Sequence, residues 1–279
     1  LIPIIAIFIK YIYIYLFNMK LFIYFKYLFN IIIFIIAFFY FIIIVSIGNI
    51  LLKSGYNRIK IVEYLNFFIF LLKVIFSNRV NSVKLLKNKI NIVNGNHFHN
   101  IDWIIFCYVF YINKIYVSSI SSISSIENNN DFELKLFNII TSILINRNTG
   151  KILNLKKNIQ QFNKRKYNTY VLCFFEGDSL NHLKNIPKNL LLEPKVGIYI
   201  QLSKEFPKKK FNDLTFIYLY HGKIMNPSDK YFILKLLSPY CNIIVKNDVY
   251  IFPQNNHKHH LEQIYQKKQA YLNYYLKNS

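Results

Sequence analysis

Ile90-Asn91-Ile92-Val93-Asn94-Gly95-Asn96-His97-Phe98-His99-Asn100-Ile101-Asp102-Trp103 decides how this chain is read. Residues 90–93 form a short apolar run of strand type, and Gly95-Asn96 breaks it. From Asp102 an apolar stretch of helical length begins. Positions i and i+5 fall on different faces of one helix, at about 3.6 residues per turn. His97 and Asp102 therefore meet only if the histidine sits on a loop and the aspartate in the first helical turn. The segment reads as strand, loop, helix, with a base and its orienter at the junction. Imidazole suits proton abstraction near neutral pH, and a neighbouring carboxylate selects its tautomer and supports the imidazolium.

Outward from this unit the chain alternates. Apolar, strand-like runs occur at 90–93, 115–118, 170–175 and 214–220. Helical segments are expected at 102–111, 132–145 and 155–162, and residues 118–130, rich in Ser and Asn, read as a loop. Strands alternating with helices predict an α/β domain with a mostly parallel sheet flanked by helices. No internal repeat is present. Residues 257–279 read as a polar, basic helix.

The first part of the chain has a different texture. No charged residue lies between Lys26 and Lys53. Such a stretch exceeds the ~20 residues that cross a ~30 Å hydrocarbon core, so residues 27–52 are expected to anchor the chain in a membrane. Residues 1–25 are apolar but carry Lys10 and Lys20, and read as a second, poorer span or an interfacial segment. Residues 64–76 are too short to span, and are expected to lie in the interface or to dock on the core. Basic residues flank the anchor on both sides, so the positive-inside rule assigns no orientation. The division is 1–60 anchor, 61–253 α/β domain and 254–279 basic tail.

Net charge is +22, from 35 basic and 13 acidic residues among 279. That surplus favours anionic partners. Nearly all of it is lysine, and Ile, Asn, Lys, Phe and Tyr crowd out Ala, Gly, Arg and Pro as AT-rich coding does. A solvated lysine surface is thus the competing explanation. No helix-turn-helix, zinc spacing or aromatic–basic pattern supports a nucleic-acid partner. Cys107, Cys173 and Cys241 are too few and too far apart for a metal set or a disulfide framework and read as core thiols, so the functional sites are expected to face a reducing compartment. The cluster His257-Lys258-His259-His260 lacks nearby carboxylates or cysteines and reads as solvated, so no metal is expected.

Four blocks follow in order: Asn96-His97-Phe98-His99-Asn100-Ile101-Asp102-Trp103, Leu144-Ile145-Asn146-Arg147, Phe174-Phe175-Glu176-Gly177-Asp178-Ser179, and Leu191-Leu192-Glu193-Pro194-Lys195-Val196-Gly197. Their order and spacing resemble the 1-acylglycerol-3-phosphate acyltransferase (lysophosphatidic acid acyltransferase) family, within the lysophospholipid acyltransferases. The likeness covers about residues 90–253 and is closest to the lysocardiolipin-acyltransferase-like eukaryotic branch. Asn212-Asp213-Leu214-Thr215 looks like that family's later strand motif.

The resemblance implies a glycerol-3-phosphate acyltransferase-like fold, preceded by N-terminal membrane helices. It also implies acyl transfer from acyl-coenzyme A to lysophosphatidic acid, in the membrane of the endoplasmic reticulum, without a resident cofactor. His97 would be the general base and Asp102 its orienter. Arg147 would grip the acceptor phosphate with its planar fork. Glu176 and Gly177 would shape the acceptor pocket, and Lys195 would neutralise phosphate or coenzyme A charge. The chain departs from the family in the third block, where Asp178 and Ser179 replace Thr and Arg. Lys184 and Lys188 are then the nearest point charges, lacking arginine's fork. In the fourth block Lys195 and Val196 replace Arg and Thr. Another lysophospholipid acceptor, or a lipid-binding protein without turnover, stays open on those grounds.

Overall fold

The computed structural model of the chain describes all residues except 1, 100, 116–119, 126–142, 147–150, 153–154, 177–179, 181–182, 184–186, 189 and 279. Residues 90–95 form strand β1, and 102–112 form helix α3, with the loop between them as the sequence predicts. Two helices precede them, α1 (Ile2–Lys53) and α2 (Arg58–Phe76). After α3 come β2 (Ile120–Ser125), β3 (Ile143–Asn146), β4 (Lys151–Ile152), α4 (Leu155–Lys164), β5 (Thr169–Cys173) and α5 (Val196–Glu205). The chain continues through β6 (Lys210–Tyr220), β7 (Lys223–Ile224), α6 (Phe232–Leu237), β8 (Cys241–Ile251) and α7 (His257–Lys277).

The fold is α/β with a mixed sheet. β1 lies between β5 and β6, and β5 and β3 flank β2; all four of these pairings are parallel. The edges are antiparallel: β4 on β3, β7 on one side of β6, and β8 along the other side over its full length. The long β6/β8 pair corrects the expectation of a mostly parallel sheet. A strand added at the edge can run either way, and β8 returns through β7 and α6 to pair in reverse.

Strand alternation sends successive side chains to opposite faces. Val93, Tyr170, Leu172, Leu214, Phe216 and Tyr218 pack with α1, α2, α3 and α6. Ile90, Ile92, Val171, Cys173, Phe211 and Ile217 pack with α4, α5 and α7. Both faces are thus covered, as a buried central sheet requires.

Several expected elements move. Of the strand expected at 115–118, residues 116–119 lie outside the described residues; strand β2, Ile120–Ser125, lies inside the Ser-rich stretch read as a loop. Its serines are small, and its backbone is bonded to β5 over residues 120–122 and to β3 over residues 123–125. The end of the helix expected at 132–145 is strand β3 from Ile143; residues 132–142 lie outside the described residues. The tail is a helix as expected, and it packs: Leu261, Ile264, Tyr265, Lys268 and Leu272 are buried on one stripe.

The N-terminal segments merge. α1 runs unbroken for 52 residues, about 78 Å at 1.5 Å per residue. Lys10 and Lys20 do not break it, and no Pro or Gly stands between Ile4 and Ile47. Its portion Met19–Lys53, whose most apolar 18-residue window has a mean hydropathy of 3.1, is long and apolar enough to cross a membrane. One stripe of that portion packs inward. Ala37, Phe41 and Val45 are buried, while Phe22, Phe29, Phe39 and Ile50 are exposed. Tyr40 donates its hydroxyl hydrogen to the Tyr64 carbonyl, 2.9 Å away, tying α1 to α2. Asn30 Nδ2 donates to the Leu237 carbonyl at 2.9 Å, tying α1 to α6.

Candidate active site

The parallel strands β1 and β5 pair Asn94 with Cys173, and each runs on past that point into a loop. Ligands gather at the carboxyl ends of such strands. Three residues beyond the paired positions stand His97 and Glu176. Glu176 Oε2 accepts the backbone N–H of His97 at 2.9 Å, so the two loops are joined.

The turn after β1 is held from both sides. Asn96 accepts the N–H of Phe216 at 2.7 Å and donates to the same residue's carbonyl at 3.1 Å, a side-chain amide standing in for a strand neighbour. Gly95 lets helix α3 close in: a Cβ there would lie 2.3 Å from Phe106 Cζ. These two contacts fix where the loop leaves the sheet.

His97 Nδ1 lies 3.3 Å from Asp102 Oδ2, so the pair meets across the loop–helix junction that its spacing requires. The contact is slightly longer than an ordinary hydrogen bond. Asp102 Oδ2 also accepts the N–H of His99 at 2.9 Å. Its Oδ1 accepts the hydroxyl of Tyr218 at 2.5 Å. With no exposed surface and three donors around it, Asp102 is a fixed acceptor. Nδ1–H of His97 then points at Asp102, and Nε2 is the basic nitrogen. The His97 side chain is 20% exposed and stacks on Phe174 at 4.1 Å, so its edge reaches solvent while its face is held. Burial drives the Tyr218 hydroxyl well above its ordinary pKa, and the nearby Asp102 charge adds to this; the phenol stays a donor.

Helix α6 roofs the far side. Phe232 stacks on His99 at 4.3 Å and packs against Phe98 and Tyr218. Arg79, at the end of α2, donates from Nη1 to the carbonyls of Leu236 and Ser238 at 2.9 and 2.7 Å, which pins the end of α6. Trp103, next to Asp102, stacks on Phe68 of α2 and packs against Phe41 of α1, with centroids 6.2 and 5.0 Å away. The helix that carries Asp102 is thus docked on the apolar hairpin.

Of the six residues singled out in the sequence, His97, Asp102 and Glu176 come together. Lys195 joins them through its backbone, donating its N–H to the Phe175 carbonyl at 2.6 Å, while its side chain is exposed. Arg147 and Gly177, like Asp178 and Ser179, lie outside the described residues. Glu176 is buried, and desolvation pushes its carboxyl up to about 8; the Lys268 ammonium and the His97 N–H pull it back. Burial likewise pushes the Cys107 thiol up to about 12, so it is no thiolate nucleophile. Among the described residues no three His, Cys, Asp or Glu side chains group to hold a metal ion.

The residues that sequence reasoning missed are Asn94, Asn96, Tyr218 and Lys268. Asparagine and lysine are so abundant here that none of these positions stands out. The one local signal is Asn94-x-Asn96, two amides spaced by two at the end of an apolar strand. Compared with known proteins, the chain matches no protein-family model and no curated relative.

Proposed function

We propose that this chain is a membrane-bound acyltransferase that moves a fatty acyl group from acyl-coenzyme A to the free hydroxyl of lysophosphatidic acid, giving phosphatidic acid for phospholipid synthesis. The observation that carries the reading is His97, with Nδ1 turned to a fixed Asp102 and its ring edge open, at the carboxyl end of the parallel strands. His97 Nε2 takes the proton of the acceptor hydroxyl as its oxygen attacks the thioester carbonyl. Asp102 supports the imidazolium that forms. The carbon–sulfur bond breaks, and the sulfur leaves with the proton returned from Nε2, as coenzyme A thiol. No acyl-enzyme and no resident cofactor enters this scheme.

The family likeness of the four blocks supports the substrate class, with Arg147, Glu176, Gly177 and Lys195 on the acceptor and coenzyme A side. The apolar α1/α2 hairpin against α3 supports a membrane-resident substrate. The endoplasmic reticulum follows from the likeness alone. Asp178 and Ser179 favour a second reading, in which the acceptor is another lysophospholipid such as lysocardiolipin, or lipid is bound without turnover.

The test is acyl transfer from labelled acyl-coenzyme A to a panel of lysophospholipids, using membranes carrying wild type or His97→Ala. Turnover with lysophosphatidic acid that His97→Ala abolishes is the expected result. Turnover with a different lysolipid alone moves the protein to the second reading. Folded, membrane-inserted protein that acylates no acceptor overturns the enzyme reading.

A further inference from the structure

Lys268 of α7 is only 1% exposed, in a chain whose other lysines mostly lie at the surface. Taking an ammonium out of water is costly unless partners compensate it. Its Nζ lies 3.0 Å from Asp213 Oδ1 and donates to the Leu214 carbonyl at 3.1 Å. Asp213, also buried, faces Asn94 across the β1/β6 register. Asn94 Nδ2 donates to the same Asp213 Oδ1 at 2.6 Å. Asn94 Oδ1 in turn accepts the N–H of Phe175 at 2.9 Å. The next residue is Glu176, which holds the N–H of His97.

A continuous set of buried contacts therefore runs from the last helix, through two strands, to the backbone of His97. One ammonium also serves two carboxylates. Desolvation raises both Glu176 and Asp213, and for each the Lys268 charge is the largest influence in the opposite direction. Without that ammonium the cluster must take up protons or open.

We infer that Lys268 is a positioning residue for this site: by holding Asp213 and Asn94 it sets the Phe175–Glu176 turn against the N–H of His97, making α7 part of the working site. The link to turnover rests on the reading of His97 as the base. The coupling itself is a property of the fold and can be observed without substrate.

The experiment uses the full chain in lipid nanodiscs, labelled with 15N-histidine, which gives seven backbone amide signals. The His97 signal is the one lost in His97→Ala. In Lys268→Met this signal is expected to move, and acyl transfer to fall on the order of a hundredfold, the scale of an ångström's misplacement. In Lys268→Met/Asp213→Asn the Asp213 charge goes with the ammonium, Glu176 keeps its proton because burial already raises its carboxyl, and the amide at position 213 still accepts from Asn94. The signal and the turnover are expected to return toward wild type. A folded Lys268→Met protein with an unmoved His97 signal overturns the inference, as does a displacement that the double variant does not recover. If Lys268→Met does not fold, Lys268→Gln is judged by the same criteria. A coupling that behaves as expected, in wild type that acylates no lysophospholipid, leaves the inference standing and overturns the acyltransferase reading alone.

Discussion

Tyr218 and Asp102 meet across the sheet–helix boundary, phenol oxygen to carboxylate oxygen, at 2.5 Å. Tyr218 stands on β6 and Asp102 opens α3, more than a hundred residues away in the chain. The bond fixes one carboxylate oxygen and leaves the other to His97 and the N–H of His99. Tyr218→Phe should therefore loosen the orienter without removing it. On the proposed acyltransferase reading turnover should fall roughly tenfold with little change in KM; stability should fall by about 1.5–3 kcal/mol, as for a lost bond to a charged group. Asp102→Asn should be far more severe, on the order of a thousandfold or more in turnover, because the amide disturbs the tautomer of His97. Steady-state kinetics of the two variants, beside thermal melts, separate the effects.

Glu176 makes stability depend on pH. Its carboxyl is raised from about 4.5 to about 8 by burial. Between those values the folded protein holds a proton that the unfolded chain has released, so stability falls as pH rises through the window. The swing should be on the order of a few kcal/mol. Glu176→Gln, still an acceptor for the His97 N–H, should match wild type below about pH 4.5 and exceed it above about pH 8. Some slope should remain, because burial shifts Asp213 in the same direction. Denaturant melts across the pH range check this.

Gly95 is required for space. Its added Cβ would lie 2.3 Å from Phe106 Cζ and 2.7 Å from Cε2. Gly95→Ala should cost about 1–3 kcal/mol by overpacking and push α3 away from the sheet, lowering turnover as well. Shortening the obstacle in Gly95→Ala/Phe106→Leu should restore part of both. A double variant no better than the single one would refute the steric account.

Trp103, the only tryptophan in the chain, reports on hairpin docking. Phe41→Ala removes a buried ring 5.0 Å from it and should cost about 3–5 kcal/mol, with a red shift and faster quenching of the Trp103 emission. An unchanged spectrum in folded protein would show that α1 does not seat against α3.

Much of the site was legible because its signals are local. The five-residue interval from His97 to Asp102 required a loop and a helix start, and both are present. Glu176, an acid directly after an apolar strand, was conspicuous for the same reason. Strand β2 was missed because Ile120-Ser121-Ser122-Ile123 has the composition of a loop, and only its pairing, first with β5 and then with β3, makes it a strand. β8 was missed because its partner, β6, is brought to it only by the folded chain.

The sequence by itself determined the strand–loop–helix at 90–112, the apolar α1 and the helical tail. These follow from hydrophobic periodicity, chain length and turn residues, all properties of neighbours in the chain. The tertiary structure alone decided that Tyr218 reaches Asp102, that Asn94 meets Asp213, and that Lys268 lies buried beneath the site. Each of those contacts joins residues far apart in sequence. The alternation of β6 sends Tyr218 to one face and Asp213 to the other. Only when the sheet closes do those faces acquire α3 and α7 as partners.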